Sequence, residues 1–169
     1  MKTIYLCGFM GCGKSFLGKR LAKKLDVPFT DLDDYIVKKE GRSIPDIFAS
    51  DGEPYFRKVE AECIRELAGG GVVATGGGAL LNPETAAFAN ETGYTVYLDV
   101  SFPACYGRIK NDTNRPLVVN NTKEQLNDIY NKRKEIYRKH ARYTVKAGGE
   151  AQPVIERILK TLNIDSEQK

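Results

Sequence analysis

An octapeptide near the start of the chain limits the fold more than any other feature. Residues 8–15 read GFMGCGKS, which matches the pattern G-x-x-x-x-G-K-[ST], and they follow the apolar run KTIYLC. At an average glycine usage of about 7%, a chance match in a chain of this length occurs on the order of once in 100 sequences or fewer. In such a loop the backbone N–H groups surround a phosphate, Lys14 reaches the β- and γ-phosphates, and Ser15 binds Mg²⁺. The pattern therefore predicts a strand, a phosphate-binding loop and a helix, in that order.

Apolar patterning in the rest of the chain predicts alternating strands and helices. Short, continuously apolar runs are typical of strands buried on both faces, whereas apolar residues spaced three and four apart are typical of helices. The order βαβαβαβαβα predicts an α/β fold, a three-layer sandwich around a five-stranded parallel sheet. The predicted strands are 2–7, one that opens at 26–29, 72–75, 94–100 and 143–147. The predicted helices are 16–25, 32–39, 43–48, 53–68, 83–90, 102–109, 123–140 and 153–162.

Composition and length indicate a single soluble domain covering residues 1–169. Hydrophobic residues make up 41% of the chain and charged residues 28%, and no apolar run approaches the roughly 20 residues that span a bilayer. No signal peptide is recognisable at the start, so we expect a cytoplasmic protein. The net charge of +4 suits an enzyme for anionic substrates and also permits nucleic-acid binding. The cysteines form no CxxC pair, which favours free thiols at Cys7, Cys12, Cys63 and Cys105.

A phosphate-binding loop alone occurs in GTPases, motor ATPases and small kinases. The chain has neither an NKxD-type guanine motif nor a DxxG switch, and it leaves no room for an oligomeric ATPase module with an accessory domain. Residues 111–122, NDTNRPLVVNNT, interrupt the regular alternation and are predicted to form a mobile loop. In small kinases such a lid closes over the phosphates and excludes water, so that a substrate hydroxyl attacks instead. The sequence therefore favours a small-molecule or nucleotide kinase with a lid at about 111–122.

Polar residues follow two predicted strands on the side where a kinase holds its acceptor. Asp31 and Asp33 end the second strand, and residues 76–78, all glycine, follow the third. The carboxyl ends of parallel strands meet at one edge of the sheet. Side chains alternate along a strand, so both aspartates are expected to point towards the phosphate-binding loop, with Leu32 turned into the core.

Three arginines are candidates for binding anionic groups. Arg57 precedes Glu60 by three positions, a spacing that from the local sequence favours an ordinary surface ion pair; alternatively, Glu60 holds the guanidinium ready for a carboxylate. Arg133 lies in KRKEIYRKHAR, a stretch typical of a solvated basic helix face. Arg115 lies in the predicted lid and is followed by Pro116, which stiffens the backbone there.

Taken together, these motifs closely resemble the shikimate kinase family. The ordered set is GxxGxGKS, DxD, GRSIxxIFxxxGExxFR, TGGG, RPL and RxxxY, and the resemblance runs from about residue 4 to residue 160. The block at 41–57 is much more specific than the phosphate-binding loop and favours a substrate-binding role for Arg57. The resemblance implies a P-loop fold of the nucleoside-monophosphate-kinase type. It also implies transfer of the γ-phosphate of ATP to the 3-hydroxyl of shikimate, a step of chorismate and aromatic amino-acid biosynthesis.

The resemblance assigns nucleotide-binding roles residue by residue. Lys14 handles the phosphates as a catalytic group, Ser15 and Asp31 hold Mg²⁺, and Arg115 of the lid neutralises the transferring phosphoryl group. Many family members have an Arg or Gln near the adenine after the last strand; here the stretch is KAGGEAQP, and Gln152 is the only counterpart. The implied nucleotide-binding set is Gly11, Cys12, Gly13, Lys14, Ser15, Phe16, Arg108, Arg115 and Gln152.

The resemblance also assigns the acceptor side, within a substrate-binding helical segment at about 32–60. Asp33, the third catalytic residue beside Lys14 and Arg115, hydrogen-bonds the shikimate hydroxyls and accepts the proton of the attacking one. Arg57 and Arg133 grip the carboxylate of shikimate, and Glu60 orients Arg57. The implied substrate-binding set is Asp33, Arg57, Gly76, Gly77, Gly78 and Arg133.

Two other classes of function stay open at this point. A kinase of another small polyol acid, such as a gluconate kinase, shares the phosphate-binding loop, the small size and the lid, although DxD and GRSIPDIF argue against it. A non-catalytic nucleotide-binding or nucleic-acid-binding protein is the second alternative. The basic residues at 132–142 come without aromatic stacking motifs, so we expect no nucleic-acid partner. We also expect no membrane partner and a monomer.

Overall fold

The computed structural model describes residues 1–164 and contains a five-stranded parallel sheet with helices on both faces. The strand order is β2-β3-β1-β4-β5, and every pair is parallel, which confirms the predicted α/β fold. The strands are β1 Thr3–Cys7, β2 Phe29–Asp31, β3 Val72–Ala74, β4 Gly93–Asp99 and β5 Tyr143–Lys146. The helices are α1 Lys14–Leu25, α2 Leu32–Glu40, α3 Ile44–Glu66, α4 Pro83–Thr92, α5 Phe102–Ile109, α6 Pro116–Val119, α7 Lys123–His140 and α8 Ala151–Leu162, and a 3₁₀ helix spans Ala79–Leu81.

The core surrounds the central strand. All five residues of β1 are buried, because helices cover both faces of the sheet and leave no solvent-facing row. In register, Leu6 of β1 lies opposite Ala74 of β3 on one side and Val96 of β4 on the other. The carboxyl ends of β1, β2 and β3 therefore meet at one edge of the sheet, where the phosphate-binding loop and the triple glycine begin.

Two segments can be compared closely with their predictions. The helices expected at 43–48 and 53–68 are the two parts of α3, and Gly52 separates them with a non-helical backbone, φ 80° and ψ 173°. Pro54 follows the kink and has no N–H to donate to the preceding turn, so the helical hydrogen-bond pattern restarts there. The segment 111–122, predicted to be a mobile loop, contains the short helix α6, which Pro116 opens.

All four cysteines are buried and free, as the spacing predicts. Among the helices of residues 1–164, none is long and apolar enough to cross a membrane.

Candidate active site

The phosphate-binding loop curls between the end of β1 and the start of α1. Gly11 has φ 76°, and a Cβ at this position would lie 2.8 Å from the carbonyl oxygen of Cys105, so only glycine fits. The Nζ atom of Lys14 lies across the loop and donates to the carbonyl oxygens of Gly8 at 2.7 Å and Phe9 at 3.2 Å. This places a cation and the amino-terminal end of a 12-residue helix beside the same turn, an arrangement that attracts phosphate.

Ser15 and Asp31 bring two hard oxygen ligands together beside this loop. The hydroxyl of Ser15 donates to Oδ2 of Asp31, while Oδ1 of Asp31 accepts from the backbone N–H of Asp33 at 3.1 Å. No cluster of three or more His, Cys, Asp or Glu side chains suited to a metal occurs within residues 1–164. The donor pair fits Mg²⁺, which in kinases binds one or two protein oxygens and takes its remaining ligands from phosphate and water.

Asp33 reaches the site from a helix and not from a strand end. Strand β2 ends at Asp31, whose side chain caps α2, so Asp33 lies in the first helical turn and the strand-alternation argument is wrong. Leu32 is fully buried, as expected, and Asp33 faces the triple glycine, since a Cβ on Gly76 would lie 3.0 Å from Oδ1 of Asp33. Burial, together with the neighbouring Asp31 carboxylate, raises the pKa of Asp33 above its ordinary value.

Arg57 and Glu60 form a partly buried ion pair on α3. Nη1 of Arg57 donates to Oε1 of Glu60 at 2.8 Å, and its Nη2 also pairs with Glu53 at 3.3 Å. Glu60 is only 3% exposed, so the surface-pair interpretation is wrong. Burial raises the pKa of Glu60 to about 7, against the opposing effect of the Arg57 charge. A Cβ on Gly78 would lie 2.7 Å from Cζ of Arg57, so the guanidinium packs directly against the glycine backbone.

Arg133 approaches the same glycine segment from α7. Its Nη1 lies 3.3 Å from the position that a Cβ on Gly77 would occupy. The hydroxyl of Tyr137, four residues later on the helix, donates to the carbonyl oxygen of Gly77 at 2.5 Å. The RxxxY pattern was recognised in the sequence, but no role was predicted for its tyrosine. The four-residue spacing could have indicated one, because it places Arg133 and Tyr137 on the same helix face.

A cleft of about 280 Å³ opens beside the phosphate-binding loop. Arg108 closes one side of it and donates from Nη1 to the carbonyl oxygen of Gly11 at 2.7 Å, and Phe16 is 56% exposed there. Gln152 does not line this cleft; its amide donates to Glu156 of the next helical turn at 2.7 Å. The lining residues are Cys12, Gly13, Phe16, Leu17, Arg108, Ala147, Gly149 and Ala151.

Arg115 lies just before α6. Its Nε donates to Oδ2 of Asp112 at 2.8 Å, a partner that the sequence argument missed. Oδ1 of Asp112 accepts from the backbone N–H of Asn114 at 3.0 Å, which fixes the turn that leads to Arg115. The Arg115 charge opposes the upward shift of the pKa of Asp33.

Comparison with known proteins identifies the family. The Shikimate kinase family model matches residues 10–163. A shikimate kinase from Sulfurihydrogenibium sp. (strain YO3AOP1) is 44% identical over 140 residues, which cover 82% of this chain and 84% of that protein. The structure of shikimate kinase from Acinetobacter baumannii in complex with shikimate superimposes with a TM-score of 0.88 at 36% identity, over 100% of this chain and 96% of that one. A gluconokinase from Sinorhizobium meliloti 1021 shares the fold alone, at 19% identity and a TM-score of 0.60. The resemblance seen in the motifs is thereby confirmed, and the chain belongs to the shikimate kinase family.

Proposed function

We propose that this protein transfers the γ-phosphate of ATP to the 3-hydroxyl of shikimate, giving shikimate 3-phosphate and ADP in chorismate and aromatic amino-acid biosynthesis. The observation that carries the proposal is the arrangement around the triple glycine. Arg57 and Arg133 lie against Gly78 and Gly77, and the Asp33 carboxylate lies against Gly76, all beside a phosphate-binding loop. The structure of the Acinetobacter baumannii relative, which is in complex with shikimate, supports the choice of acceptor.

The acceptor is held at its two chemically different ends. A substrate carboxylate pairs with the guanidinium groups of Arg57 and Arg133, which present planar donors suited to two parallel hydrogen bonds. Glu60 remains behind Arg57 at 2.8 Å and keeps the guanidinium facing the glycine segment. Residues 76–78 lack side chains, so the acceptor ring approaches the backbone closely and its hydroxyls reach Asp33.

Asp33 receives the attacking hydroxyl. A carboxylate in this position accepts a hydrogen bond from the 3-hydroxyl and takes its proton as the new P–O bond forms. Burial raises the pKa of Asp33, which makes the group a better base than an exposed carboxylate. An ordinary carboxylate has a pKa of about 4, so orientation of the hydroxyl remains a large part of its contribution.

The nucleotide is held by the loop and by the cleft next to it. The adenine occupies the cleft between Arg108 and the 147–151 segment, and Gln152 stays a candidate contact at its margin. On ATP binding, Lys14 exchanges the carbonyl oxygens of Gly8 and Phe9 for the β- and γ-phosphates. Ser15 and Asp31 would hold Mg²⁺, which would supply charge neutralisation to the phosphates. Arg115 then brings a further positive charge to the transferring group as the lid closes.

The same proposal makes the protein a cytoplasmic monomer without a nucleic-acid or membrane partner. Several basic side chains that suggested a nucleic-acid patch have partners on the protein itself. Lys134 and Arg138 pair with Asp99 at 3.7 and 3.5 Å, and Arg133 faces the glycine segment. Light scattering tests the monomer, and salt-dependent binding of RNA or DNA would contradict this part of the proposal.

A substrate panel tests the activity. The purified protein is incubated with ATP and MgCl₂ and with shikimate, gluconate or nucleoside monophosphates, and ADP release is measured. Among these acceptors we expect turnover only with shikimate. We also expect ³¹P and ¹H NMR of the product to show a phosphate ester at the 3-hydroxyl. Absence of shikimate turnover, or faster turnover of gluconate, would reject the proposal.

A further inference from the structure

Tyr137 places a buried hydroxyl under the acceptor side of the site. Its side chain is only 1% exposed and stacks on Tyr97 with ring centroids 5.3 Å apart and an interplanar angle of 28°. The hydroxyl reaches past this aromatic pair and donates to the carbonyl oxygen of Gly77 at 2.5 Å. A buried phenol requires a hydrogen-bond partner, and here the partner is backbone of the glycine segment itself.

Hydrogen bonds set the orientation of the peptide groups in residues 76–78, because glycine has no side chain that could restrict the backbone. The carbonyl oxygen of Gly76 accepts from the N–H of Ala79 at 3.2 Å, which fixes the peptide plane between residues 76 and 77. The Tyr137 bond fixes the next plane, between residues 77 and 78. In a trans peptide the C=O and N–H bonds point in opposite directions. The N–H of Gly78 is therefore turned away from α7.

Tyr137 also lies beside Arg133 on the same face of α7. Nη1 of Arg133 and the hydroxyl of Tyr137 lie 3.3 and 3.8 Å from the position that a Cβ on Gly77 would occupy. One helix face thus carries both a cation for the acceptor and the group that orients the backbone beneath it.

We propose that Tyr137 is a positioning residue for the acceptor: its hydroxyl locks the peptide group between Gly77 and Gly78 in the orientation that presents the N–H of Gly78 to shikimate. This inference rests on the proposed function. It assigns no bond between Tyr137 and the substrate, since the residue acts through the glycine backbone. Loss of the hydroxyl frees this peptide to rotate and weakens acceptor binding without changing the phosphate-binding loop.

The test compares Tyr137→Phe with Tyr97→Phe. Each substitution removes one phenol oxygen from the same stacked pair and keeps the ring, but the Tyr97 hydroxyl points to Asp99, at 3.4 Å, and not to the glycine segment. For Tyr137→Phe we expect a three- to tenfold rise in the KM for shikimate, about the effect of one hydrogen bond, with the KM for ATP within about twofold of wild type. For Tyr97→Phe we expect both KM values within about twofold of wild type. Urea denaturation of both variants measures the structural cost of each lost hydroxyl.

The outcomes separate this inference from the proposed function. If the wild type does not phosphorylate shikimate, the proposed function fails, and isothermal titration of shikimate to the wild type and Tyr137→Phe then shows no binding for either. If the wild type is active and Tyr137→Phe keeps the wild-type KM for shikimate, the positioning role is overturned. Equal rises in the KM for shikimate in both variants, in step with their loss of stability, would also overturn it.

Discussion

Replacing Glu60 with glutamine is expected to remove a loss of stability that the wild type undergoes as pH rises from 5 to 8. Glu60 is 3% exposed, and burial raises its pKa from an ordinary value of 4.5 to about 7. A tenfold change in proton affinity corresponds to about 1.4 kcal/mol, so the ionised side chain costs the folded state about 3 kcal/mol relative to the unfolded chain. The Arg57 ion pair lowers this cost but does not remove it.

The pH dependence follows from the direction of this shift. Between pH 4.5 and about 7 the folded protein holds a proton at Glu60 that the unfolded chain has released, so the contribution of Glu60 to stability falls as pH rises through this window. Glutamine does not titrate. The free energy of unfolding of Glu60→Gln minus that of the wild type should therefore increase by about 2–3 kcal/mol between pH 5 and pH 8.

Urea denaturation at pH 5, 6, 7 and 8 measures this difference, because pH effects of other groups cancel between the two proteins. Glu53→Gln is the matched control, since Glu53 also pairs with Arg57, at 3.3 Å, but its side chain is 63% exposed. The pH-dependent gain should be much larger for Glu60→Gln than for Glu53→Gln. A difference that stays constant within about 0.5 kcal/mol across this range would refute the reasoning.

Three further substitutions test the nucleotide and acceptor sides, each followed by steady-state kinetics. Lys14→Ala should abolish phosphoryl transfer while leaving the fold intact by circular dichroism, and wild-type turnover would remove Lys14 from the mechanism. Arg57→Ala should raise the KM for shikimate at least tenfold with the KM for ATP nearly unchanged, whereas an unchanged KM for shikimate would exclude carboxylate capture. Arg115→Ala should lower kcat by two or more orders of magnitude with a smaller change in ATP affinity, as expected for a charge used in the transition state; an equal loss in both would indicate ground-state binding.

The sheet and the phosphate-binding loop were predictable from sequence, because apolar strand residues and crowded backbone positions leave a direct pattern in it. A continuously apolar β1 has to be covered on two faces, and GFMGCGKS supplies glycines where side chains would collide. The break within α3 was also predictable. Two helices are expected at 43–48 and 53–68, and the structure has a non-helical residue, Gly52, between the two parts of α3, followed by Pro54.

The side-chain environment of the acceptor site was less predictable. Side-chain alternation treats Asp31 and Asp33 as one strand end, whereas the helix predicted at 32–39 already includes Asp33. The structure has the helix, because the Asp31 side chain accepts the N–H of Asp33 and caps α2. Side-chain caps of this kind compete with strand pairing, and an aspartate after a short strand is where the competition favours a helix. Asp33 therefore faces the triple glycine from the first turn of α2.

The ion pair of Arg57 and Glu60 differs from an ordinary surface pair in that Glu60 is buried. The sequence could not show this, because a three-residue spacing carries no information about burial. The same spacing joins Arg115 to Asp112 in the predicted lid at the same distance, 2.8 Å, yet there both side chains remain partly exposed. What differs is the neighbour. Glu60 packs within reach of Gly76 and Asp33, a contact between α3 and the end of β3 that is distant in sequence.

The triple glycine explains why one small site contains so many charged groups. A carboxylate and two guanidinium groups, from Asp33, Arg57 and Arg133, each lie within about 3.5 Å of a point where a side chain on residues 76–78 would begin. Any side chain there would displace a charged group that we propose binds the acceptor. Glycine restricts its own backbone very little, so residues outside 76–78 have to fix the orientation of these peptide groups. The Tyr137 hydroxyl fixes the peptide group that follows Gly77. Removing side chains at 76–78 thus makes room for the acceptor and also creates the requirement that the Tyr137 hydroxyl meets.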